Sequence, residues 1–372
     1  MGPALLVVAV LFVAFANGAN DNFKGVATLH GSGTLAYPPA LAWATVTTLA
    51  GSLGAAWLSG GLVTRFSGKG LVDDAVAADP LFMLAVALGA SGTLLLATRL
   101  ALPISTTHAL TGALVGAGVV VAGPGQVAYG ALGRAFALPL LASPLLAAAA
   151  TASLYAALRQ VRLASKVTHE HCLCIGQPAP LAALSTAGRV LRVDTGPALS
   201  VDRVERCARR YAGSVLGVRA QSALDGIHVL TAGAVGFARG LNDTPKILAL
   251  LVTARAVGIH DAIGLVAVAM AAGGLLAARR VAHTMAHGLT GMNHGQGFTA
   301  NLVTAALVAA ASPLGLPVST THVSCGSLFG IGAVNGEARW SAIGQVLLAW
   351  ITTLPVAVLL AAAFALLTSA VR

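Results

Sequence analysis

An all-α integral membrane protein built from two homologous halves is the fold class this sequence predicts, and three observations predict it. Hydrophobic residues make up 57% of the 372 and charged residues only 9%, with a mean hydropathy of +0.84, whereas a soluble domain carries about 25% charged residues. Apolar stretches able to cross about 30 Å of hydrocarbon recur along the chain. They show no period-2 alternation, which points to helices and not barrel strands. Finally, two polar motifs are each written twice, once in each half.

In chain order, the first half presents apolar segments at Ala4–Ala16, Pro38–Gly60, Leu81–Thr98, Ile104–Ala122 and Val127–Leu158. The second half presents Ile227–Phe237, Lys246–Val257, Ala262–Ala278, Thr299–Ala311, Val318–Val334 and Ser341–Leu367. Residues 1–18 imitate a secretory signal, with an apolar core followed by Ala14-Phe15-Ala16. No basic residue precedes the core, as a signal would require, and the segment has a counterpart in the second half. It is read as a retained helix. The expected organisation is a first transmembrane repeat over 1–158, a polar basic linker over 159–224 and a second repeat over 225–372.

The net charge of +10 is not a nucleic-acid footprint, because ten of the 22 lysines and arginines fall between Arg159 and Arg219, the one long polar stretch. That stretch reads as a solvent-exposed linker, on the cytoplasmic side by the positive-inside rule. Within it His169, His171, Cys172 and Cys174 offer imidazoles and thiols at close spacing. A soft-metal site there is a weak expectation, since such near neighbours reach one tetrahedral ion with difficulty and no second pair follows.

The duplication is detailed. Sliding the chain by 214 residues lays PISTTH (Pro103–His108) on PVSTTH (Pro317–His322), and Gly112, Gly116 and Gly118 on Gly326, Gly330 and Gly332. Sliding it by 222 lays FANGANDNFK (Phe15–Lys24) on FARGLNDTPK (Phe237–Lys246). Two such halves joined by a linker are the arrangement of many secondary transporters, which bind substrate and ions where the repeats meet. The paired GxxxG runs are read as close helix packing. Asp21 and Asp243 interrupt apolar runs at equivalent places, and an ionisable residue at membrane depth normally faces a cavity or a partner.

Pro103 and Pro317 disfavour a helix through the preceding residue, so a helix can start at Ser105 or Ser319, each a good N-cap. Ser105, Thr106 and Thr107, and likewise Ser319, Thr320 and Thr321, then sit beside unpaired amides at a positive helix end. That is a setting for a tetrahedral oxyanion. The plainer reading is that these hydroxyls only cap helices or bond back to carbonyls. His108 and His322 either donate to an anion or hold the loop, and the structural role is the expected one. Asp21 with Lys24, and Asp243 with Lys246, share a helical face and can form internal ion pairs. Gly18 and Gly240 permit a local break before each Asn-Asp, and broken helices of this sort bind sodium or protons. Arg239 stands where the first half has Asn17, which tilts the local charge toward an anion.

At these residues the sequence resembles the inorganic phosphate transporter (PiT) family, which carries a G-A-N-D-V-A-N type motif and a P-[IV]-S-T-T-H element in each half. Gly18-Ala19-Asn20-Asp21 matches fully, Gly240-Leu241-Asn242-Asp243 nearly so, and both STTH elements match. The approach to the second STTH, Arg280 to Leu302, also looks like the family pattern. The resemblance covers both hydrophobic halves and leaves out most of the linker. It implies an inverted-repeat, multi-pass carrier in the cell (inner) membrane that takes up phosphate with a coupling cation, proton or sodium. The site would be lined by Asn20, Asp21, Ser105, Thr106, Thr107, Asn242, Asp243, Ser319, Thr320 and Thr321. Where the family has the last Asn of N-D-V-A-N, this chain has Lys24 and Lys246. An ammonium there can stand in for a sodium ion or contact the anion, which predicts a proton-driven or sodium-independent carrier. The alternative is that both lysines snorkel to an interface.

Phosphate keeps a proton at neutral pH and can give it to a carboxylate, which sulfate cannot do. The aspartates therefore favour phosphate, with a sulfate or other oxyanion permease as the alternative. A remote alternative is an intramembrane serine protease, on the strength of Gly89-Ala90-Ser91-Gly92. The reading is of a transporter and not an enzyme. It implies no cofactor beyond the coupling cation, and its partners are the anion and the lipid bilayer. A homo-oligomer is left open.

Overall fold

The computed structural model describes residues 2–58, 60–168, 170–176, 181–184, 190–193, 198–203, 205–206, 216–253 and 258–370. Its chain divides into two compact units, one of Met1–Tyr155 with His228–Arg372 and one of Ala156–Ile227.

The larger unit is helical. In the first half run α1 (Gly2–Asp21), α2 (Ala27–Gly31), α3 (Tyr37–Leu58), α4 (Gly60–Phe66), α5 (Asp74–Ala77), α6 (Pro80–Arg99), α7 (Thr106–Val121), α8 (Tyr129–Leu132) and α9 (Leu138–Ser165). The second half has α10 (Ala220–Thr253), α11 (Ile259–Ala277), α12 (Arg279–His283), α13 (His294–Ala311), α14 (Thr320–Asn335) and α15 (Trp340–Ser369). Among the described residues, five helices are individually long and apolar enough to cross a membrane. A sixth span arises if Asp261–Ala277 and Arg279–Gly288, bent by 67°, are counted as one.

Local chemistry sets the helix starts. Asp79 caps α6 by accepting from Leu81 N, with Pro80 at the first position, and Asn293 and Gln296 form a capping box on α13. Ser105 accepts from His108 N at 3.1 Å and Ser319 from His322 N at 3.2 Å, so both serines cap helices as their motifs suggest. Gly336, at φ 75°, ends α14 in the left-handed conformation that favours glycine.

The two halves pack crosswise through glycine. A Cβ on Gly18 would lie 1.9 Å from Met270 O, and one on Gly240 2.3 Å from Thr48 O. One on Gly273 would meet Phe15 O at 1.9 Å, and one on Gly51 would meet Phe237 O at 2.0 Å. Each contact repeats the other after the same slide of 222 residues that relates the motifs. Helix α1 thus rests on α11, and α10 rests on α3. The GxxxG runs do the same. Gly112 and Gly116 of α7 meet Leu354 O and Val358 O of α15, while Gly326 and Gly330 of α14 meet Pro144 O and Ala148 O of α9.

Three departures from the sequence reading have physical reasons. The apolar segment Ile227–Phe237 and residues 246–253 of the segment Lys246–Val257 belong to one 34-residue helix, α10, and the rest of the second segment lies outside the described residues. Its charged residues Arg239, Asp243 and Lys246 pair with one another at i,i+3 and i,i+4, so no break is needed to accommodate them. The expected helix breaks at the Asn-Asp motifs are therefore not equivalent. Helix α1 ends at Asp21, whereas α10 runs on through Asp243 and Pro245. Gly18 and Gly240 serve close packing instead.

The third departure lies in the basic linker. Ala156–Ile227 includes β1 (His171–Gly176), β2 (Leu181–Leu184), β3 (Val190–Val193), β4 (Ala198–Arg203) and β5 (Leu216–Arg219). They form an antiparallel sheet in the order β4-β1-β5 and a separate β2-β3 pair. These strands of four to six residues carry too little alternation to stand out in a polar stretch.

Candidate anion-binding site

The four motifs converge on one buried cluster between the two halves. Asn20, Asp21, Lys24, Arg239, Asn242, Asp243, Lys246 and all six hydroxyl residues of the two STT runs are at most 3% exposed. Solvent reaches none of them in this conformation, and neither lysine snorkels.

The lysines reach across. Lys24 pairs with Asp21 of its own motif and also donates to Asn20 Oδ1 at 2.9 Å, Ile104 O at 2.8 Å and Thr321 Oγ1 at 2.6 Å. Lys246 pairs with Asp243 Oδ1 at 3.2 Å and donates to Val318 O at 3.0 Å and Thr107 Oγ1 at 2.8 Å. Each ammonium thus joins its own aspartate to the last threonine of the opposite STT run. Thr321 Oγ1 donates to Ile104 O at 2.8 Å, and Thr107 Oγ1 to Val318 O at 3.3 Å, closing the junction.

The remaining groups fill it. Thr106 Oγ1 donates to Asp21 Oδ2 at 2.8 Å, and Asn242 Nδ2 reaches Thr320 Oγ1 at 3.3 Å. Asn20 Nδ2 holds Thr98 Oγ1 and Leu102 O, each at 3.0 Å, while its Oδ1 accepts from Ile104 N at 3.2 Å. Arg239 crosses to the first half, donating to Asn17 Oδ1 at 2.5 Å and Asn22 Oδ1 at 3.1 Å, with its Nε 3.7 Å from Asp243 Oδ2. Three cations and two carboxylates share this space, so the cluster carries a surplus positive charge when all are ionised.

One residue the sequence reading passed over is central. Asn17 Nδ2 lies 3.1 Å from Asp21 Oδ2, 3.1 Å from Asp243 Oδ2 and 2.8 Å from Thr106 Oγ1. It joins the two aspartates and the first STT run. Its only signal in the sequence was that it occupies the place of Arg239 in the duplicated motif. Asn22 and Thr48, which hold the Arg239 guanidinium, gave no signal beyond their membership of polar positions in apolar helices.

A family model now bears on this geometry. The model of the phosphate transporter family matches residues 17–361, a span that includes the first motif from Asn17 onward and the whole of the other three. The chain belongs to that family. It is 28% identical to a Pyrococcus abyssi protein named "Putative phosphate permease", over 97% of each chain. A Haemophilus influenzae protein of the same name is 28% identical, over 92% of this chain and 91% of its own. A Mycobacterium bovis protein named "Probable low-affinity inorganic phosphate transporter" is 28% identical over 96% of this chain and 75% of its own. Among solved structures, one named the sodium-dependent phosphate transporter superposes with a TM-score of 0.76 over the whole of both chains, at 19% identity. That likeness shows a shared fold.

The protein is therefore a multi-pass integral membrane transporter of the phosphate transporter family and not an enzyme. The protease alternative falls with this result. Ser91 lies inside α6, where its Oγ donates back to Leu88 O at 3.1 Å.

Of the weak metal set in the linker, His169 lies outside the described residues. Cys172 and Cys174 share one face of β1 with their sulfurs 2.9 Å apart, while His171, one residue out of phase, belongs to the other face. Among the described residues, no group of three His, Cys, Asp or Glu is placed to hold a metal ion.

Proposed function

We propose that this transporter is a secondary active carrier of inorganic phosphate, coupled to a cation and working by alternating access between its two halves. The observation that carries the proposal is the crossed junction, in which Lys24 meets Thr321 and Lys246 meets Thr107 between two capped helix starts. A tetrahedral oxyanion entering there finds hydroxyl donors from both halves, two ammonium groups and two positive helix ends. The donors belong to different halves, so a rocking of one half against the other opens the site to one side and closes it to the other. The two halves would relate by an inverted repeat, and the reciprocal glycine contacts support a two-fold relation between them. Ser105 and Ser319 act mainly as caps, while Thr106, Thr107, Thr320 and Thr321 present the hydroxyls that contact the substrate.

In this reading the lysines are built-in cations. Each occupies a pocket of oxygen atoms, from carboxylate, carbonyl and threonine, of the kind that would suit a bound sodium ion. The carrier is then driven by protons or is independent of sodium, although the solved transporter of the same fold is sodium-dependent by name.

The test is uptake of radiolabelled phosphate into liposomes containing the purified protein, under imposed sodium or proton gradients and with sulfate as competitor. Uptake that follows protons and ignores sulfate supports both the substrate and the lysines as cations. Uptake that requires sodium retains the substrate and overturns the lysine role. Lys24→Asn and Lys246→Asn should create or raise sodium dependence, and unchanged cation dependence overturns the same point. One observation favours sulfate as a second substrate. Both aspartates already face ammonium groups, so no uncompensated carboxylate repels an anion that lacks a proton. Transport of sulfate alone would establish that reading in place of phosphate.

A further inference from the structure

Behind the two STT runs lies a pair of histidines that phosphate binding leaves unused. His108 and His322 occupy the same place in the two motifs, and their ring centroids are 4.7 Å apart. His322 is 2% exposed. Its ring stacks on Trp350 at 3.9 Å, and Trp350 Nε1 donates to Pro103 O at 3.2 Å, on the residue that opens the first motif.

The bonding of His322 sets its protonation. Its Nδ1 lies 3.1 Å from Leu140 O. That carbonyl has no helical donor, because the residue four positions on is Pro144, inside α9, which has no N–H. A carbonyl can only accept, so the imidazole carries its proton on Nδ1 and leaves Nε2 as a bare lone pair. Nε2 is buried and has no hydrogen-bond partner among the described residues, and the same holds for His108 Nδ1. The two rings, tilted by 48°, thus lie side by side with one unpartnered nitrogen each.

Few charged groups compete. From α9 the pair meets the Leu140 carbonyl, and from α15 the Trp350 ring. On α14 the nearest titratable neighbour is Cys325, whose sulfur is engaged with Met285. The charged group whose field reaches His322 is Lys24, itself paired with Asp21 and bonded to the adjacent Thr321.

We propose that His108 and His322 together bind the proton that drives transport, one proton shared between His108 Nδ1 and His322 Nε2. The inference rests on the phosphate-carrier reading above. With the site empty of substrate, the Lys24 ammonium and the two positive helix ends oppose another charge at this spot. Phosphate seated between the STT runs adds negative charge beside them and lifts that opposition. Proton and phosphate then favour each other's binding by the same factor. The proton enters as H+ from one side, forms one N–H bond, and leaves as H+ to the other. No other bond changes.

Two measurements test this. Calorimetric phosphate binding to the wild-type protein, in buffers of different ionisation enthalpy, counts protons taken up on binding. The expected result is about one proton per phosphate, in keeping with tight linkage, and uptake of none overturns the proposal. In liposomes, phosphate accumulation under a proton gradient is compared with phosphate–phosphate exchange at equal pH on both sides. In His322→Gln and His108→Gln the ratio of driven accumulation to exchange should fall by about tenfold, in the range of ordinary coupling factors. A pH-sensitive dye should register phosphate moving without protons. A ratio and a proton flux equal to those of the wild type overturn the inference and leave the carrier reading intact. A wild-type protein that neither binds nor exchanges phosphate overturns both. If a variant shows no exchange, the proton count on the wild type decides.

Discussion

At the scale of single residues, the cluster is held by compensation, and compensation makes its members interdependent. Lys24 and Asp21 are 1% and 2% exposed and touch each other. Removing Lys24 takes from Asp21 the cation that touches it, and breaking a buried pair in this way costs about 3–5 kcal/mol. Lys24→Met should therefore lower the melting temperature of the detergent-solubilised protein sharply, and Asp21→Asn combined with Lys24→Met should recover most of that loss. Additive losses in the double variant would mean that the pair is not coupled. The double variant should still fail to transport, because both groups are assigned to the site. Asn17 makes a separate case. Its amide nitrogen contacts both aspartates, and a hydrogen bond to a charged group contributes about 1.5–3 kcal/mol. Asn17→Ala should slow the initial rate of phosphate uptake by about tenfold or more on that basis, while Asn22→Ala, one step further from the carboxylates, should do less. Equal effects would remove Asn17 from its bridging role.

At the scale of elements, the controlling feature is how closely helix backbones approach. Gly18 and Gly273 form two sides of the α1–α11 contact, each with a foreign carbonyl where a Cβ would stand. Overpacking a well-filled contact costs about 1–3 kcal/mol in ordinary cores, and here the obstacle is backbone that cannot rotate away. Gly18→Val should lower thermal stability and abolish uptake together, since the same helix carries Asn17, Asn20 and Asp21. Gly264, in α11 with nothing within 4 Å of its would-be Cβ, is the control. Gly264→Ala should leave transport unchanged and stabilise by up to about 1 kcal/mol through helix propensity. The two α1-like segments also show why equal sequence did not mean equal structure. Helix α1 stops at Asp21, and Lys24 reaches back from the following turn, whose amide bonds to Asp21 O at 3.1 Å. Helix α10 continues through Pro245, and its lysine stays on the helix. Both ammonium groups nonetheless bond their own aspartate, the carbonyl just before the STT run of their own half and the last threonine of the opposite STT run, and Lys24 also bonds Asn20 Oδ1.

At the scale of the whole molecule, neither half completes the buried cluster. Lys24 needs Thr321, Lys246 needs Thr107, and the glycines at 18, 112 and 116 of one half and 240, 326 and 330 of the other each close on a helix of the opposite half. Residues 1–165 and 220–372 produced as two separate chains in one cell should therefore restore phosphate uptake, while either chain alone should give none. Activity from one half alone would contradict the shared site. Much of this was legible beforehand, because duplication makes rare polar residues stand out: one STT run is ordinary, and two in register are not. Asn17 was not legible. Its importance comes from contacts to Thr106 and Asp243, which lie far along the chain, and one asparagine in an apolar helix announces neither. The strands of the linker escaped for want of length, and the continuity of α10 escaped because three charges looked like an interruption until they were seen to pair.

The sequence by itself determined that this is a helical membrane protein, that two polar motifs are each written twice along it, and that serines at 105 and 319 begin helices. Those properties follow from composition, spacing and local capping, which act over a few residues. The tertiary structure decided that the lysines are buried and cross over, that Gly18 and Gly240 admit close backbone approach, and that two histidine nitrogens are left without partners among the described residues. Each of these depends on which distant segment comes to lie against which, and that is settled by packing, where apolar contact area and close backbone approach outweigh any local preference.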